Sequence, residues 1–522
     1  MKVVSSKQMK TIEKKALCAG ISEDELMENA GFTIATRVYS YLNPSTKPRV
    51  FALIGPGNNG GDGLVASRIL YQWKIPVVIY LGTSTTHCKG KYQQCLDLKI
   101  PVIIASNDPD QKTLSKEILN TDILLDALFG AGSTRRFDHN LQRVLNRINE
   151  VKQKSPRTFQ IISVDIPSGI NPDNGSIPTV ALSTDVTLAL GAPKIGLFRL
   201  PGSAHSGKLE SLDIGIPEKL FNHVRILLLD KTIAENNLPP RSLHSSKRSF
   251  GKVLIVAGSQ EYIGAARLAT LAAYRSGSGL VTLATPRSVY ELLSPTLPEA
   301  TYQPLPESTS GRINEKSVSL IHSIIHRYDA LLIGCGLGLD DSTIKSIESL
   351  ICNSAISLPP TVLDADGINC LEKIPKWWER IGNPMVLTPH HGEMMRLTGI
   401  KEINDPLKVA LSYAKSWKKT VVLKGPITII ASPNGSCKIN AEPNPLLSTA
   451  GTGDILAGIT VALVGQGLDL SEAAATAVYV HSKAAKEISV SIGDGGMLAS
   501  DLIDQIPKTI ATIRGVIRQN IV

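Results

Sequence analysis

The chain reads as two consecutive α/β domains, each a sheet of mostly parallel strands with helices packed against it. Three observations predict this. Short, continuous apolar runs recur along the sequence, each ends in a Gly-rich or polar turn, and helical stretches follow them, as expected of buried parallel strands joined by helices. At 522 residues the chain is too long for one core. The alternation breaks once. Composition shifts near Ile216-Pro217-Glu218, and Asn236 to Lys247 is polar, proline-bearing and aperiodic. The boundary is placed near residue 220, giving domains 1–220 and 221–522.

The first domain opens with helices from about Ser6 to Tyr41, whose apolar residues (Met9, Ile12, Leu17, Leu26, Met27, Ala30, Ile34) fall mostly at helical spacing. A strand over Arg49–Ile54 then meets Gly55-Pro56-Gly57-Asn58-Asn59-Gly60-Gly61-Asp62-Gly63, followed by a helix over Leu64–Trp73. Strand, Gly-rich turn and helix form the unit that binds phosphate-bearing ligands at the carboxyl ends of parallel strands. The spacing is not G-x-G-x-x-G, so no standard dinucleotide fingerprint is present. Further strands are predicted at Val77–Tyr80, Val102–Ala105, Ile123–Asp126 and Ile161–Asp165. Asp126 leads into a loop through Gly130, Ala131, Gly132, Ser133, Thr134, Arg135 and Arg136, whose guanidinium groups suit phosphate. Asp165 leads into Ile166-Pro167-Ser168-Gly169. In a parallel sheet Asn59, Asp126, Asp165 and Ser168 all reach one edge. Such oxygen ligands suit a hard cation, and a remaining carboxylate can move a proton. An Asp at a strand end can equally cap the next turn.

The second domain restarts at Val253–Ala257, with a turn over Gly258–Ala266, and continues with strands at Leu280–Leu283, Ala330–Ile333, Thr361–Leu363, Met385–Leu387 and Thr420–Leu423. Each of the later ones ends in a polar or Gly-rich segment: Gly334-Cys335-Gly336-Leu337-Gly338, Asp364-Ala365-Asp366-Gly367, Thr388-Pro389-His390-His391-Gly392-Glu393, and Lys424-Gly425-Pro426-Ile427-Thr428. The series closes on Gly451-Thr452-Gly453-Asp454 and a small-residue helix. A Gly-rich turn opening a helix leaves backbone N–H groups free at the positive end of the dipole, an anion site. A carboxylate there repels phosphate unless it takes a proton from an attacking hydroxyl, or it serves only as a helix cap. Asp364 and Asp366 read as loop caps or as groups that position a magnesium ion.

The formal charge of +9 is spread along the chain without a dense basic block, so nucleic acid is not expected as a partner. Seven cysteines without a C-x-x-C pair argue against a disulfide framework or a zinc site. With no signal-peptide core and no apolar run of membrane-spanning length, a soluble cytoplasmic protein is expected.

These motifs, taken in order, resemble a known pair of domains. Asn58–Gly63, Asp126-Ala127-Leu128-Phe129-Gly130 and Asp165–Gly169 resemble the Rossmann-like three-layer sandwich of NAD(P)H-hydrate epimerases. Gly336–Gly338, Thr388–His390, Lys424-Gly425 and Gly451–Asp454 resemble the ribokinase-like α/β fold of ADP- or ATP-dependent NAD(P)H-hydrate dehydratases. Their order is similar to that in fused bifunctional repair enzymes. The resemblance implies epimerisation of R and S hydrates of NADH and NADPH (NADHX and NADPHX), and nucleotide-driven dehydration of the S form.

It further implies K+ held by Asn59, Asp126 and Ser168, a hydrate pocket lined by Asn58–Asp62, Gly130–Arg136 and Asp165, and Asp165 as the acid/base. In the second domain it implies hydrate contacts from Ala265, Gly338, His390 and Asp454. Lys424, Gly425, Pro426, Ile427, Thr428 and Gly453 would bind Mg2+ with ADP or ATP, with Asp454 catalytic. A homo-oligomer is expected by the same resemblance. Cys335, Pro426 and Lys247-Arg248 depart from the family pattern. Vitamin-precursor kinases share the second fold but leave the first half unexplained.

Overall fold

The computed structural model describes residues 1–43, 47–82, 88–131, 138–154, 159–353 and 357–516. It divides into two compact units, Met1–Ile226 and Leu227–Val522. Among the described residues no helix is long and apolar enough to cross a membrane.

The first unit is built on seven strands: β1 (Val50–Ile54), β2 (Val77–Leu81), β3 (Val102–Ile104), β4 (Ile123–Ala127), β5 (Gln160–Val164), β6 (Val186–Leu190) and β7 (Lys208–Leu212). They pair in the order β3-β2-β1-β4-β5-β6-β7, all parallel. Side chains alternate across a strand, so Val50, Ala52 and Ile54 enter one core while Phe51 and Leu53 enter another. Helices Ser6–Cys18, Glu23–Tyr41 and Asn58–Gln72 cover the first face through Met9, Ile12, Ile34, Val38 and Leu64. Helices Lys112–Leu119 and His139–Lys154 cover the other through Leu114, Ile118, Leu141, Leu145 and Ile148. This is the three-layer arrangement the sequence predicts. Ser5 and Ser22 start the first two helices with reciprocal capping boxes. Because the chain runs outward from β1 to β3 and then returns to β4 beside β1, a crevice opens at the carboxyl ends of β1 and β4.

The second unit holds β8 (Ile226–Leu228), β9 (Lys252–Val256), β10 (Leu280–Pro286), β11 (Thr301–Leu305), β12 (Ala330–Ile333), β13 (Thr361–Leu363), β14 (Met385–Leu387), β15 (Thr420–Leu423), β16 (Thr428–Ala431) and β17 (Cys437–Asn440). Their order is β11-β10-β9-β12-β13-β14-β15-β16-β17-β8. Pairing is parallel from β11 to β15 and antiparallel through β15, β16 and β17. The same reversal, here between β11 and β12, opens a crevice at the ends of β9 and β12. Helix Thr452–Gly465 is buried nearly all round and lies against helix Ile263–Arg275. Gly458 permits that approach, because a Cβ there would fall 2.4 Å from the Ala269 carbonyl oxygen.

Leu125, fully buried on the central strand β4, tests the core of the first unit. Leu125→Ala should lower unfolding free energy by about 2–5 kcal/mol, read as an earlier denaturant midpoint for that unit.

Candidate active sites

At the crevice of the first sheet lies a cavity of about 920 Å3, lined among others by Glu13, Asn58, Asn59, Asp62, Gly130, Ala131, Asp165 and Lys194. Asp126, at the end of β4, is fully buried. Its carboxylate accepts the Ser168 hydroxyl at 2.6 Å, the Ser168 amide at 2.9 Å, the Ser163 hydroxyl at 2.7 Å and the Leu128 amide at 3.3 Å. Burial pushes its carboxyl up from the ordinary range, and these bonds pull it back only partly. Asn59 is the opposite case: among the described residues both polar atoms of its side-chain amide are buried without a partner. Gly130 passes so close that a Cβ would sit 3.0 Å from the Asn59 side chain. A buried amide left unsatisfied is costly and calls for a ligand.

Asp165 follows β5 with φ at +67°, in the left-handed region that a non-Gly residue rarely enters. One oxygen, Oδ1, accepts from the Lys194 ammonium and from the Leu190 amide at 3.2 Å; the other, Oδ2, accepts from the Ala131 amide at 3.3 Å. Lys194 also donates to the Leu190 carbonyl at 3.1 Å. Two more carboxylates face the pair. Burial and the nearby Asp165 push Asp62 well above the usual carboxylate range, and burial raises Glu13 against the pull of Lys194.

The structure thus brings Asn58, Asn59, Asp62, Gly130, Ala131 and Asp165 to one cavity, while Asp126 and Ser168 bond to each other at the edge beneath them. Gly60 and Gly61 serve packing instead. A Cβ on Gly60 would lie 2.0 Å from the Gly55 oxygen, and one on Gly61 would strike Met27 and Cys88. Gly132, Ser133, Thr134, Arg135 and Arg136 lie outside the described residues. Lys194 and Glu13 belong to the site without having been singled out for it in the sequence.

In the second unit, helix Thr452–Gly465 opens at Gly451, in the left-handed conformation, with no side-chain cap. Asp454 stands in the first turn rather than at the cap. Its carboxylate, the Cys335 thiol and the Asp364 carboxylate each place an atom within 4.8 Å of the others. Burial, then the charge of Asp364, push the Asp454 carboxyl up to about 6, against a hydrogen bond from Cys335 and the charge of Lys424. Asp364, almost fully buried, accepts the Lys424 ammonium at 2.8 Å and the Thr388 hydroxyl at 2.7 Å. Burial disfavours the Lys424 ammonium, but Asp364 and Glu393 outweigh it and raise its pKa. A Cβ on Gly453 would come 3.6 Å from Lys424 Nζ and 3.9 Å from Asp364 Oδ2, which places the pair at the open helix end.

Around this centre, His390 caps its own helix: its Nδ1 accepts from the Glu393 amide at 3.2 Å and its own N–H donates to Glu393 at 2.7 Å. Gly338, with φ at +73°, donates its N–H to Asp366 at 2.8 Å. Ala265 abuts Gly336, where a Cβ would lie 2.8 Å from the Ala265 methyl. Lys424 to Ile427 form the loop between β15 and β16, closed by the Thr428 hydroxyl donating to the Gly425 carbonyl at 3.2 Å. Pro426 is exposed on that loop. Asp364, Thr388 and Glu393 matter more here than their sequence neighbours suggested.

Fold and geometry together define an enzyme with two separate ligand-binding sheet edges, one crowded with carboxylates and one centred on a helix N-terminus. Residues 23–196 match the family described as YjeF-related protein N-terminus, and residues 253–508 match NAD(P)H-hydrate dehydratase. The bifunctional NAD(P)H-hydrate repair enzyme Nnr of Thermofilum pendens is 34% identical, over 98% of this chain and 97% of its own length. That of Moorella thermoacetica is also 34% identical, over 94% and 92% respectively. The chain belongs to the family of bifunctional NAD(P)H-hydrate repair enzymes. A solved ADP/ATP-dependent NAD(P)H-hydrate dehydratase from Bacillus subtilis, co-crystallized with ATP/Mg2+, is 31% identical and covers 55% of this chain and 98% of its own, with a TM-score of 0.47.

Glu393 offers a check on the electrostatics of the second site. Burial pushes its carboxyl up to about 7 from an ordinary 4.5. The native state then holds a proton that the unfolded chain releases, so stability falls as pH rises from about 4.5 to about 7, by on the order of 3 kcal/mol. Glu393→Gln should flatten that slope in denaturant titrations of the second unit.

Proposed function

We propose that the first unit epimerises hydrated NADH and NADPH and that the second dehydrates the S epimer with ADP or ATP. The observation that carries this reading is the pairing of two unlike sites on one chain: a carboxylate-lined cavity at the first sheet edge, and a helix N-terminus with Lys424, Asp364 and Asp454 at the second.

In the hydrate, the hydroxyl-bearing carbon is bonded to the ring nitrogen. Its configuration inverts if the C–N bond opens to an aldehyde and recloses on the other face. That cycle needs one group to take the hydroxyl proton, hand it to the ring nitrogen as the C–N bond breaks, and reverse both transfers on reclosure, and Asp165 is assigned this role. Asn58, Asp62, Gly130 and Ala131 hold the substrate, with the segment 132–136. The unpartnered amide of Asn59, beside the oxygen-rich Asp126–Ser168 pair, fits a potassium ion. Such an ion, when bound, supplies positive charge for the anionic end of the substrate.

In the second unit the helix start at Gly451–Gly453, which carries no side-chain cap, and the ammonium of Lys424 suit a nucleotide phosphate carried with magnesium, bordered by Gly425–Thr428. Asp454 accepts the proton of the substrate hydroxyl as that oxygen attacks the terminal phosphate. Hydroxide leaves poorly and phosphate leaves well, so eliminating the phosphate ester restores the dihydronicotinamide ring. Ala265, Gly338 and His390 border the hydrate.

Chemically hydrated NADH supplied as both epimers with magnesium and ADP or ATP should regain its full dihydronicotinamide absorbance and release phosphate. No recovery with either nucleotide refutes the dehydratase assignment. Asp454→Asn should abolish recovery, whereas Asp165→Asn should retain only the rapid S phase. With its carboxyl near 6, Asp454 is ionised above that pH, so the S-phase rate should rise with pH and be half-maximal near pH 6, provided proton transfer limits it.

A further inference from the structure

The epimerase cavity contains a buried ammonium that the assignment above leaves without a task. Lys194 lines the cavity with its side chain 2% exposed, against 9% for its partner Asp165. It follows β6, the strand next to β5, which delivers Asp165. The backbone fixes it from the N-terminal segment, since the Val4 amide donates to the Pro193 carbonyl and the Ile195 amide to the Val4 carbonyl, both at 2.9 Å. With an additional bond to the Leu190 carbonyl, this lysine has no freedom to swing towards bulk water.

We propose that Lys194 is a positioning residue of the epimerase site: its ammonium holds Oδ1 of Asp165 against the cavity wall, so that Oδ2 is the oxygen that exchanges the substrate's hydroxyl proton. The inference rests on the epimerase assignment of this cavity. Oδ1 is taken twice, by Lys194 and by the Leu190 amide, whereas among the described residues Oδ2 has only the 3.3 Å contact with the Ala131 amide, which also lines the cavity. The ammonium also answers for more than one carboxylate. Glu13 from the first helix and Asp62 from the helix after β1 face the pair, with Glu23 and Lys10 farther out. Without Lys194 three acidic groups would share one dry pocket, and such a cluster gives up its protons only at higher pH.

The full-length enzyme tests this with its second unit as an internal control. Hydrated NADH, as mixed epimers with magnesium and nucleotide, should be consumed in two phases: S directly, and R after epimerisation. Lys194→Met should leave the S phase within about twofold of wild type and slow the R phase by roughly 100-fold at pH 7. Its R-phase pH profile should move to higher pH by at least about one unit. Lys194→Arg keeps the charge and should keep the profile in place, even if slower. An unchanged R phase in Lys194→Met, or an equal slowing at every pH, overturns the proposal, since a merely structural lysine would not move the profile. If the Met variant does not fold, the Arg variant decides alone: a displaced profile refutes the charge-holding role. Absence of an R phase in the wild type would instead refute the epimerase assignment itself, and the proposal with it.

Discussion

Each unit carries a carboxylate–ammonium pair withdrawn from water at the carboxyl edge of its sheet: Asp165 with Lys194 in the first, Asp364 with Lys424 in the second. Such a pair is held only when the partner and the remaining hydrogen bonds are all in place, and removing one member costs about 3–5 kcal/mol. The surroundings are built accordingly. Asp165 has the Leu190 and Ala131 amides, Asp364 has the Thr388 hydroxyl, and Lys194 has the Leu190 carbonyl. Because most of these bonds come from residues at or just past the ends of strands, the rigidity of the sheet is passed to the charges. These carboxylates are therefore placed by the core.

Delivering side chains over the edge requires an abrupt change of direction, and the backbone carries the strain. Asp165 adopts φ of +67° and Ala365, after β13, adopts φ of +46°. Conformations of this kind cost of order 1–3 kcal/mol for a residue with a Cβ. In the first case the Asp165 amide still donates to Leu188 at 2.7 Å while the Ile166 amide bends back to Val164 at 2.8 Å. The chain leaves the ladder within one residue. In the second, the turn brings Asp364 and Asp366 to opposite tasks: one accepts Lys424, the other accepts the Gly338 amide.

Much of this was legible in the sequence because buried parallel strands are continuous apolar runs. β1 to β5, and β9, β12, β13, β14 and β15 among the parallel strands of the second sheet, fall within a residue or two of the predicted runs. β7, read as Lys-Leu-Glu-Ser-Leu, is a half-exposed edge strand without such a run, and β16 and β17 are short antiparallel additions. They carried little signal. At the sites, motifs located the loops but could not say which polar groups meet. Asp126, Asp165 and Asp454 stood out because they follow strands or a Gly-rich turn. Lys194 stood at the end of a strand that sequence reading did not mark, and Glu13 looked like one more polar helix residue. Cys335 looked like a departure from a loop pattern, yet it touches the carboxylate at the centre of the second site.

The two sites also differ in how their buried charges are arranged. In the first cavity three carboxylates face one ammonium, so burial and mutual repulsion keep protons on Asp62 and Glu13 above their ordinary range. In the second, a free helix N-terminus and Lys424 supply positive potential, and Asp454 sits inside it. Burial and the charge of Asp364 raise its proton affinity, and the Cys335 hydrogen bond and the charge of Lys424 lower it, leaving the carboxyl at about 6. The group can then stay ionised at neutral pH and still be basic enough to accept a hydroxyl proton. A carboxylate and an ammonium buried together at an uncapped helix start each moderate the other's charge.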